Sequence, residues 1–265
     1  MSSQKIVVMK FGGASVATPE NIRKIATLVQ QKSRDMRVVV VASAMGNTTD
    51  HLLALAKRIH PNPPVREQDM LLSVGERVTI SLLAMALHLI GTPAISFTGS
   101  QSGIITTSDH SNAKIIAVRP DRIAKVLEER KIAIVAGFQG MSLEKEITTL
   151  GRGGSDTTAV ALGVALSAEY AMFIKDVSGI YTEDPKENAE AKFCDTLSYE
   201  EAMIICEKGK ILHPRCIMLA AKNALPLHVL SYPELFPHMQ ERNGLGTWIL
   251  PKEGVQNATL AYEAD

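Results

Sequence analysis

The 265-residue chain has no excess of charge of either sign: 28 Lys and Arg face 28 Asp and Glu. Without a long-range basic field it has nothing with which to gather nucleic acid or an anionic membrane, so both partners are disfavoured. Aromatic residues make up only 5%, which argues against a stacking platform for single-stranded nucleic acid. There are three cysteines, Cys194, Cys206 and Cys216, and no CxxC pair. A disulfide framework or structural zinc is therefore not expected, and the thiols read as a reduced, cytoplasmic set. No uninterrupted run of 18 apolar residues occurs, so no membrane-crossing segment is expected. The N-terminal MSSQKIVVMKFGG has neither a long apolar core nor a small-residue cleavage site, so no secretory signal is expected.

What is present is 46% hydrophobic residues, enough for a sizeable core in one large domain or two small ones. Lys5 to Met9 reads as a buried strand stopping at the turn Lys10-Phe11-Gly12-Gly13. Thr18-Pro19 opens a helix, with Thr18 as cap. Met36 to Ala42 is continuously apolar and β-branched, the pattern of a central parallel strand covered on both faces. Asp50 is a candidate cap for the next helix, which Pro61 to Pro64 breaks. Gln68 to Ile90 is a long helical stretch. Pro93 to Phe97 and Ile132 to Ala136 are strands. Thr157 to Leu166, small and apolar, is a helix buried against a sheet. Tyr170 to Ile174 is a strand, followed by a loop from Lys175 to Pro185. Helices at Tyr199 to Glu207 and Arg215 to Asn223, and strands at Leu227 to Leu230 and Thr247 to Leu250, complete the chain. Strands alternating with helices predict an α/β fold with a mainly parallel sheet, softly divided near residue 165.

Ligands of such sheets lie beyond the carboxyl ends of the strands. Four glycine-bearing or small-residue turns fall there: Lys10 to Gly13, Ser43 to Thr49, Gly137 to Gly140 and Gly151 to Asp156. Their backbone N–H groups can approach an anion closely. None is GxxxxGK[ST] or GxGxxG, so neither a Walker loop nor the usual dinucleotide fingerprint is present. Lys10, at a strand end, is either a phosphate-binding cation or a solvated terminus. Asp156 either caps a helix with Ser155 or orients lysines or a magnesium ion. Arg152 is a surface residue or a bidentate partner for a carboxylate. Glu76, inside the apolar LLSVGERVTISLLAMAL, needs a partner: Arg77, another internal cation, or a substrate ammonium. His213 reads as structural. No Ser/His/Asp set or metal-ligand spacing stands out. The lack of a general base suits an acceptor already ionised at neutral pH, for which phosphoryl transfer needs alignment and charge neutralisation.

Taken together, VMKFGGASVA, VVVVASAMGNTTD, LLSVGERVTISLLAMAL, SGIITTSDHSNAKI, IVAGFQG, ITTLGRGGSDTTAVALG, DVSGIYTEDP and GKILHPR resemble the catalytic part of the aspartokinases, in the amino-acid kinase superfamily. The resemblance implies a three-layer α/β/α sandwich with an acceptor lobe (about 1–165) and a nucleotide lobe (about 166–265). It implies transfer of the ATP γ-phosphoryl group to the β-carboxylate of L-aspartate, giving 4-phospho-L-aspartate. That is the first step toward lysine, threonine, methionine and diaminopimelate. By resemblance Lys10, Asp156 and Lys210 are catalytic, and Gly12, Gly13 and Ser15 line the phosphoryl pocket. Arg152 holds the acceptor α-carboxylate and Glu76 its α-ammonium, with Ser43, Thr48, Thr49 and Phe138 completing that pocket. Adenine and ribose lie along Lys175 to Lys186, near Asp176 and Tyr181. Magnesium is held mainly by the nucleotide phosphates, with no dedicated protein site.

Two residues depart from the family. Lys175 stands where T-D-V begins, similar to the lysine-bearing loop of uridylate kinases, and Lys186 replaces an arginine. Relatives usually continue into paired ACT regulatory domains, and this sequence stops soon after GTWI, so inhibition by lysine or threonine through such a site is not expected of this polypeptide. A homodimer is possible. The alternatives are a kinase for another small acid or UMP, or a non-catalytic nucleotide-binding subunit.

Overall fold

The computed structural model describes residues 4–185, 187–188, 190–209, 211–232, 235, 246–252 and 260–263. The first half contains β1 (Ile6–Phe11), α1 (Pro19–Lys32), β2 (Arg37–Ala42), α2 (Thr48–Ile59), α3 (Val65–Leu72), α4 (Val74–Leu89), β3 (Ala94–Phe97), β4 (Ile104–Thr106), β5 (Ile115–Val118), α5 (Asp121–Glu128), β6 (Ile132–Ala136), β7 (Gln139–Ser142) and β8 (Ile147–Thr149). The second contains α6 (Gly154–Ala165), β9 (Tyr170–Ile174), β10 (Ile180–Tyr181), β11 (Phe193–Cys194), β12 (Thr196–Ser198), α7 (Tyr199–Gly209), α8 (Pro214–Lys222), β13 (Leu227–Leu230) and β14 (Thr247–Leu250).

Eight strands form one sheet in the order β12-β14-β13-β9-β1-β2-β6-β3. All its pairings are parallel except β13 with β14. The continuously apolar RVVVVA is β2, buried near the centre as its composition requires. Side chains alternate across each strand. Val8, Val39, Val41, Ala133 and Val135 enter one core layer with α5, α6 and α8. Val7, Met9, Phe11, Val40 and Ile134 enter the opposite layer with α1 and α4. The result is the expected three-layer α/β/α sandwich. β1 lies between β2 and β9, so the sheet continues across the division expected near residue 165.

Local signals explain most element boundaries. Thr18 caps α1 by accepting from Asn21 N–H at 3.2 Å, with Pro19 in the first turn. Asp50, in contrast, does not cap α2: it lies in the first turn and no side chain caps that helix. The stretch expected as one helix from Gln68 to Ile90 is two, α3 and α4, meeting at Ser73. Its hydroxyl donates to Met70 O at 3.0 Å, a back-bond that competes with the helix ladder.

A second sheet, β5-β4-β7-β8, is absent from the sequence reading. Its strands are three or four residues long, too short for alternation to register. The loop expected from Lys175 to Pro185 contains β10, paired with β11. The expectation of no membrane-length segment needs correcting. Val65–Leu89 is long and apolar enough to pass by length and composition, because Ser, Thr and Gly interrupt an apolar run without making its average polar. Its inward side is core, burying Asp69, Glu76, Ile80, Leu83 and Leu87.

Candidate active site

Four neighbouring parallel strands, β9, β1, β2 and β6, deliver their carboxyl ends to one edge. β1 is the point from which strand order runs outward both ways, and there a crevice opens. Lys10 shares the face of Val8, so strand alternation aims it at the layer holding α6. Asp156, in the first turn of α6, meets it: Lys10 Nζ lies 2.7 Å from Asp156 Oδ1. Lys175, immediately after β9, places its Nζ 3.2 Å from Asp156 Oδ2. Lys10 and Asp156 are 5% and 6% exposed.

Two cations thus share one buried anion. Burial alone would raise the Asp156 pKa, but Lys10 and Lys175 overcome it and hold the carboxyl at about 2. Burial depresses the Lys10 ammonium pKa, Asp156 opposes that, and Lys175 adds to the depression. The cluster carries net positive charge in a low-dielectric site, and a bound polyanion would restore balance.

Glu76 faces the same space from the first turn of α4. It is 2% exposed. Ala44 N–H donates to its Oε1 at 3.1 Å, and Oε2 has no hydrogen-bond partner. Burial pushes its pKa up to about 7. Gly75 permits this approach: a β-carbon there would sit 2.8 Å from Ala44 Cβ. A carboxylate whose pKa is raised on folding destabilises the fold progressively from pH 4.5 to about 7, with the full cost above that. Glu76→Gln is therefore expected to raise the melting temperature at pH 8 and leave it nearly unchanged at pH 4.5. At about 1.4 kcal/mol per unit the gain is roughly 3 kcal/mol at most. Equal effects at both pH values in thermal melts would refute it.

Lys10, Gly13, Ser43, Ala44, Gly46, Thr49, Glu76, Phe138, Gly151, Gly153, Gly154, Ser155 and Asp156 line one cavity of about 340 Å³, within the size range of small-ligand sites. Its wall includes the N-terminus of α6, which no side chain caps. The cap is Gly153 itself, so neither Ser155 nor Asp156 has the capping role weighed from sequence. The helix offers free-facing backbone N–H groups to an anion instead. Gly153 has φ +71°, and a β-carbon there would lie 2.2 Å from His213 Cβ. Phe138 also has positive φ, +69°, a costly conformation for an aromatic residue. Its N–H donates to Thr158 Oγ1 at 3.2 Å and its carbonyl accepts from Leu150 N–H at 2.8 Å.

The structure thus brings together Lys10, Gly13, Ser43, Thr49, Glu76, Phe138 and Asp156, with Lys175 joined through Asp156. Gly12 adjoins Lys10, its would-be β-carbon 3.5 Å from Nζ. Ser15 is buried behind them, donating to Ile174 O at 3.4 Å. Thr48 turns to Met45 O at 2.6 Å and is outside the cavity lining. Arg152 is exposed beside the lining residues Gly151 and Gly153. Asp176 is exposed, while Tyr181 packs edge-on against Phe193 in the β10–β11 ribbon. Lys186 and Lys210 lie outside the described residues. His213 has the structural place expected of it: it opens α8, its Nδ1 accepting from Arg215 N–H at 3.3 Å. Among the described residues Arg77 does not pair with Glu76, whose Oε1 accepts from Ala44 N–H instead.

Two supporting residues escaped the sequence reading. Asp69, fully buried, accepts from Thr149 Oγ1 at 2.6 Å, Thr149 N–H at 3.1 Å and Ser111 N–H at 3.1 Å, and pairs with His110 Nδ1 at 2.7 Å. It clamps β8, and through it the Gly151 turn, to α3. Asp69 follows the polar run Arg66-Glu67-Gln68, so nothing local marked it as buried. Arg215 bonds Leu150 O, Ala113 O at 2.9 Å and Glu263 at 2.7 Å, bracing that turn from α8.

A model of the amino acid kinase family matches residues 5–231. The chain belongs to that family. Among curated family relatives, the aspartokinase of Mycolicibacterium smegmatis is 51% identical over 229 residues, 85% of this chain and 54% of that protein. The Corynebacterium glutamicum aspartokinase is 49% identical over the same shares. The chain spans about half the length of these relatives. Among solved structures, aspartate kinase from Synechocystis superposes with TM-score 0.81 at 40% identity, covering 96% of this chain and 41% of that one. E. coli aspartokinase III in complex with aspartate and ADP gives TM-score 0.82 at 28% identity, over 94% of this chain and 65% of that one. A UMP kinase from Ureaplasma parvum, TM-score 0.67 at 17% identity, shares the fold alone.

Proposed function

We propose that this chain transfers the γ-phosphoryl group of ATP to the β-carboxylate of L-aspartate, giving 4-phospho-L-aspartate and ADP. One observation carries the reading. A single cavity sets Lys10 and Asp156, the latter also held by Lys175, beside a buried carboxylate, Glu76, that has one oxygen unpartnered among the described residues. The first suits a polyphosphate, the second an ammonium group. A zwitterionic amino acid with a second carboxylate can satisfy Glu76 and still present an oxygen to the phosphoryl group. Aspartokinase relatives at about half identity, and a superposing family structure that holds aspartate and ADP, support the choice of substrates.

The chemistry needs little beyond placement. A carboxylate oxygen attacks the γ-phosphorus as the bond from that phosphorus to the β–γ bridging oxygen breaks, and ADP leaves with the electron pair. The acceptor is already ionised, so no base removes a proton. Lys10 neutralises charge on the transferring group, Asp156 fixes Lys10, and the α6 N–H groups face the anion. Arg152 and Lys210 complete the proposal, on the acceptor α-carboxylate and the nucleotide phosphates. Among the described residues no cluster of three or more His, Cys, Asp or Glu could cage a metal, and both Asp156 oxygens face ammonium groups. A magnesium ion would thus be held mainly by the phosphates, whose charge it would neutralise. The proposal includes the cytoplasm as the site of action and a biosynthetic role toward lysine, threonine and methionine.

A hydroxamate assay for acyl phosphate, with aspartate and glutamate as acceptors, and a parallel ADP-release assay with UMP, test this. Aspartate is expected to exceed glutamate at least about tenfold in kcat/KM, the scale of one misplaced methylene. Turnover of UMP without aspartate would overturn the assignment.

A further inference from the structure

Asp69 is buried away from the reactive cluster, in α3, and two distant segments hang on it. Thr149 donates its hydroxyl to Oδ1 at 2.6 Å and its N–H to Oδ2 at 3.1 Å. Ser111 N–H donates at 3.1 Å, and His110 Nδ1 lies 2.7 Å from Oδ2. An ionised carboxylate only accepts, so the His110 proton on this side belongs to Nδ1. Ser111 has φ +66°, a costly conformation for a residue other than glycine. Ser111 and Asn112 in turn form the shelf under Gly151: a β-carbon there would lie 3.0 Å from Ser111 O and 3.1 Å from Asn112 Oδ1. The turn that carries Arg152 is therefore bonded at its entry, through Thr149, and supported from below, through Ser111, by one carboxylate. Its exit is fixed separately. Gly153 packs under His213, and α6 beyond it is buried along nearly its whole length.

We propose that Asp69, with Thr149 and His110, is a positioning group that sets the reach of Arg152 and so makes the cavity select an acceptor bearing an α-carboxylate. The inference rests on the reading of this cavity as an aspartate site and adds to it the origin of one part of its selectivity. Three features carry it. First, Arg152 is exposed, and an arginine without packed neighbours takes its direction from the backbone beneath it. Second, the ammonium and carboxylate of an α-amino acid share one carbon, so the groups that receive them must keep a fixed separation. Glu76 is carried by α4 and Asp69 by α3, two helices that meet at Ser73, whose carbonyl accepts from Gln139 Nε2 at 2.9 Å. One helical pair thus supports both receiving groups, Glu76 directly and Arg152 through the Asp69 bonds. Third, Asp69 is not among the residues lining the cavity, and Lys10 and Asp156 stand on other elements, β1 and α6. Releasing the entry of the turn should move Arg152 and leave the phosphate end in place. A displacement of about an ångström in such a positioning contact can cost up to about a hundredfold.

β-Alanine is aspartate without its α-carboxylate; it keeps the ammonium group and the carboxylate that would take the phosphoryl group. The ratio of kcat/KM for aspartate to kcat/KM for β-alanine, read by ADP release, therefore isolates the Arg152 contact. Asp69→Asn keeps the shape of the side chain and turns an amide N–H₂ toward groups that themselves donate. It should lower the ratio about tenfold, through KM for aspartate, with kcat and KM for ATP within about twofold of the parent. Thr149→Val breaks only the 2.6 Å bond and should lower the ratio about threefold, the scale of one hydrogen bond. Thr149→Ser returns the hydroxyl and should restore the ratio. The two Thr149 variants decide the matter should Asp69→Asn fail to fold. A change that only loosened the fold would slow both acceptors together and leave the ratio where it was. An unchanged ratio in folded Asp69→Asn, or in Thr149→Val where Asp69→Asn does not fold, overturns the proposal. So does a loss in Thr149→Val that Thr149→Ser fails to recover. A parent chain that does not phosphorylate aspartate overturns the reading of the cavity itself, and one that uses aspartate no better than β-alanine overturns the Arg152 contact.

Discussion

Lys10→Met is expected to lower kcat at least about a thousandfold, or about 4 kcal/mol of transition-state stabilisation, at the upper end of what one preorganised donor contributes. The side chain keeps its length and loses its charge, so the loss is electrostatic. Asp156 retains Lys175 at 3.2 Å, which spares the protein the full penalty of a buried unpaired carboxylate. The fold should therefore survive, as circular dichroism and a melting curve would check. Lys175→Thr is the informative contrast. It removes the outer cation and leaves the 2.7 Å Lys10–Asp156 pair intact, so it should weaken ATP binding more than it slows transfer. If Lys10→Met kept near-normal kcat, the mechanism would lose its central residue.

Glu76→Gln should raise KM for aspartate by about a hundredfold, with little change in KM for ATP. A desolvated carboxylate–ammonium pair that loses one partner typically costs 2–5 kcal/mol, and a hundredfold is about 2.7. Succinate supplies the matched control, because it lacks the ammonium group. Its weak turnover should be no worse, or better, in the variant. The pH dependence follows from the same residue. With its pKa raised to about 7 by burial, the empty pocket holds Glu76 largely protonated below neutrality. An arriving ammonium favours the ionised form, so aspartate binding should expel a proton and KM for aspartate should fall as pH rises from 6 to 8. Calorimetry in buffers of different ionisation enthalpy would count that proton. A KM independent of pH in the parent, or equal losses for aspartate and succinate in the variant, would remove Glu76 from the ammonium subsite.

The long, compositionally extreme elements were legible before any coordinates. β2, β6, β9, β13 and β14 fall where apolar runs place them, and Thr18 and Pro19 open α1 as their chemistry dictates. Lys10, Asp156 and Glu76 were also visible, as charges where burial is costly. What escaped has physical causes. The short strands of the β5-β4-β7-β8 sheet carry too few residues to show a period. Asp50 and Ser155 have capping side chains, but backbone geometry assigned the start of each helix elsewhere. The sharing of Asp156 between Lys10 and Lys175 depends on the adjacency of β1 and β9, and it joins Asp156 to a lysine 19 residues away in one case and far more in the other, a proximity no local pattern encodes. Asp69 was missed because the polar Arg66-Glu67-Gln68 before it hides its burial, whereas Glu76 stands out in an apolar stretch.

The rod α4 has a consequence of its own. Glu76 points inward between Val74 and Val78, which point outward, so the carboxylate of the ammonium subsite and the apolar exterior are two sides of a single turn. Whatever presses on that exterior acts on the helix that carries Glu76, whereas Lys10 and Asp156 stand on β1 and α6. Detergent or crowding that disturbs the outer surface should therefore register in the apparent affinity for aspartate before it registers in that for the nucleotide.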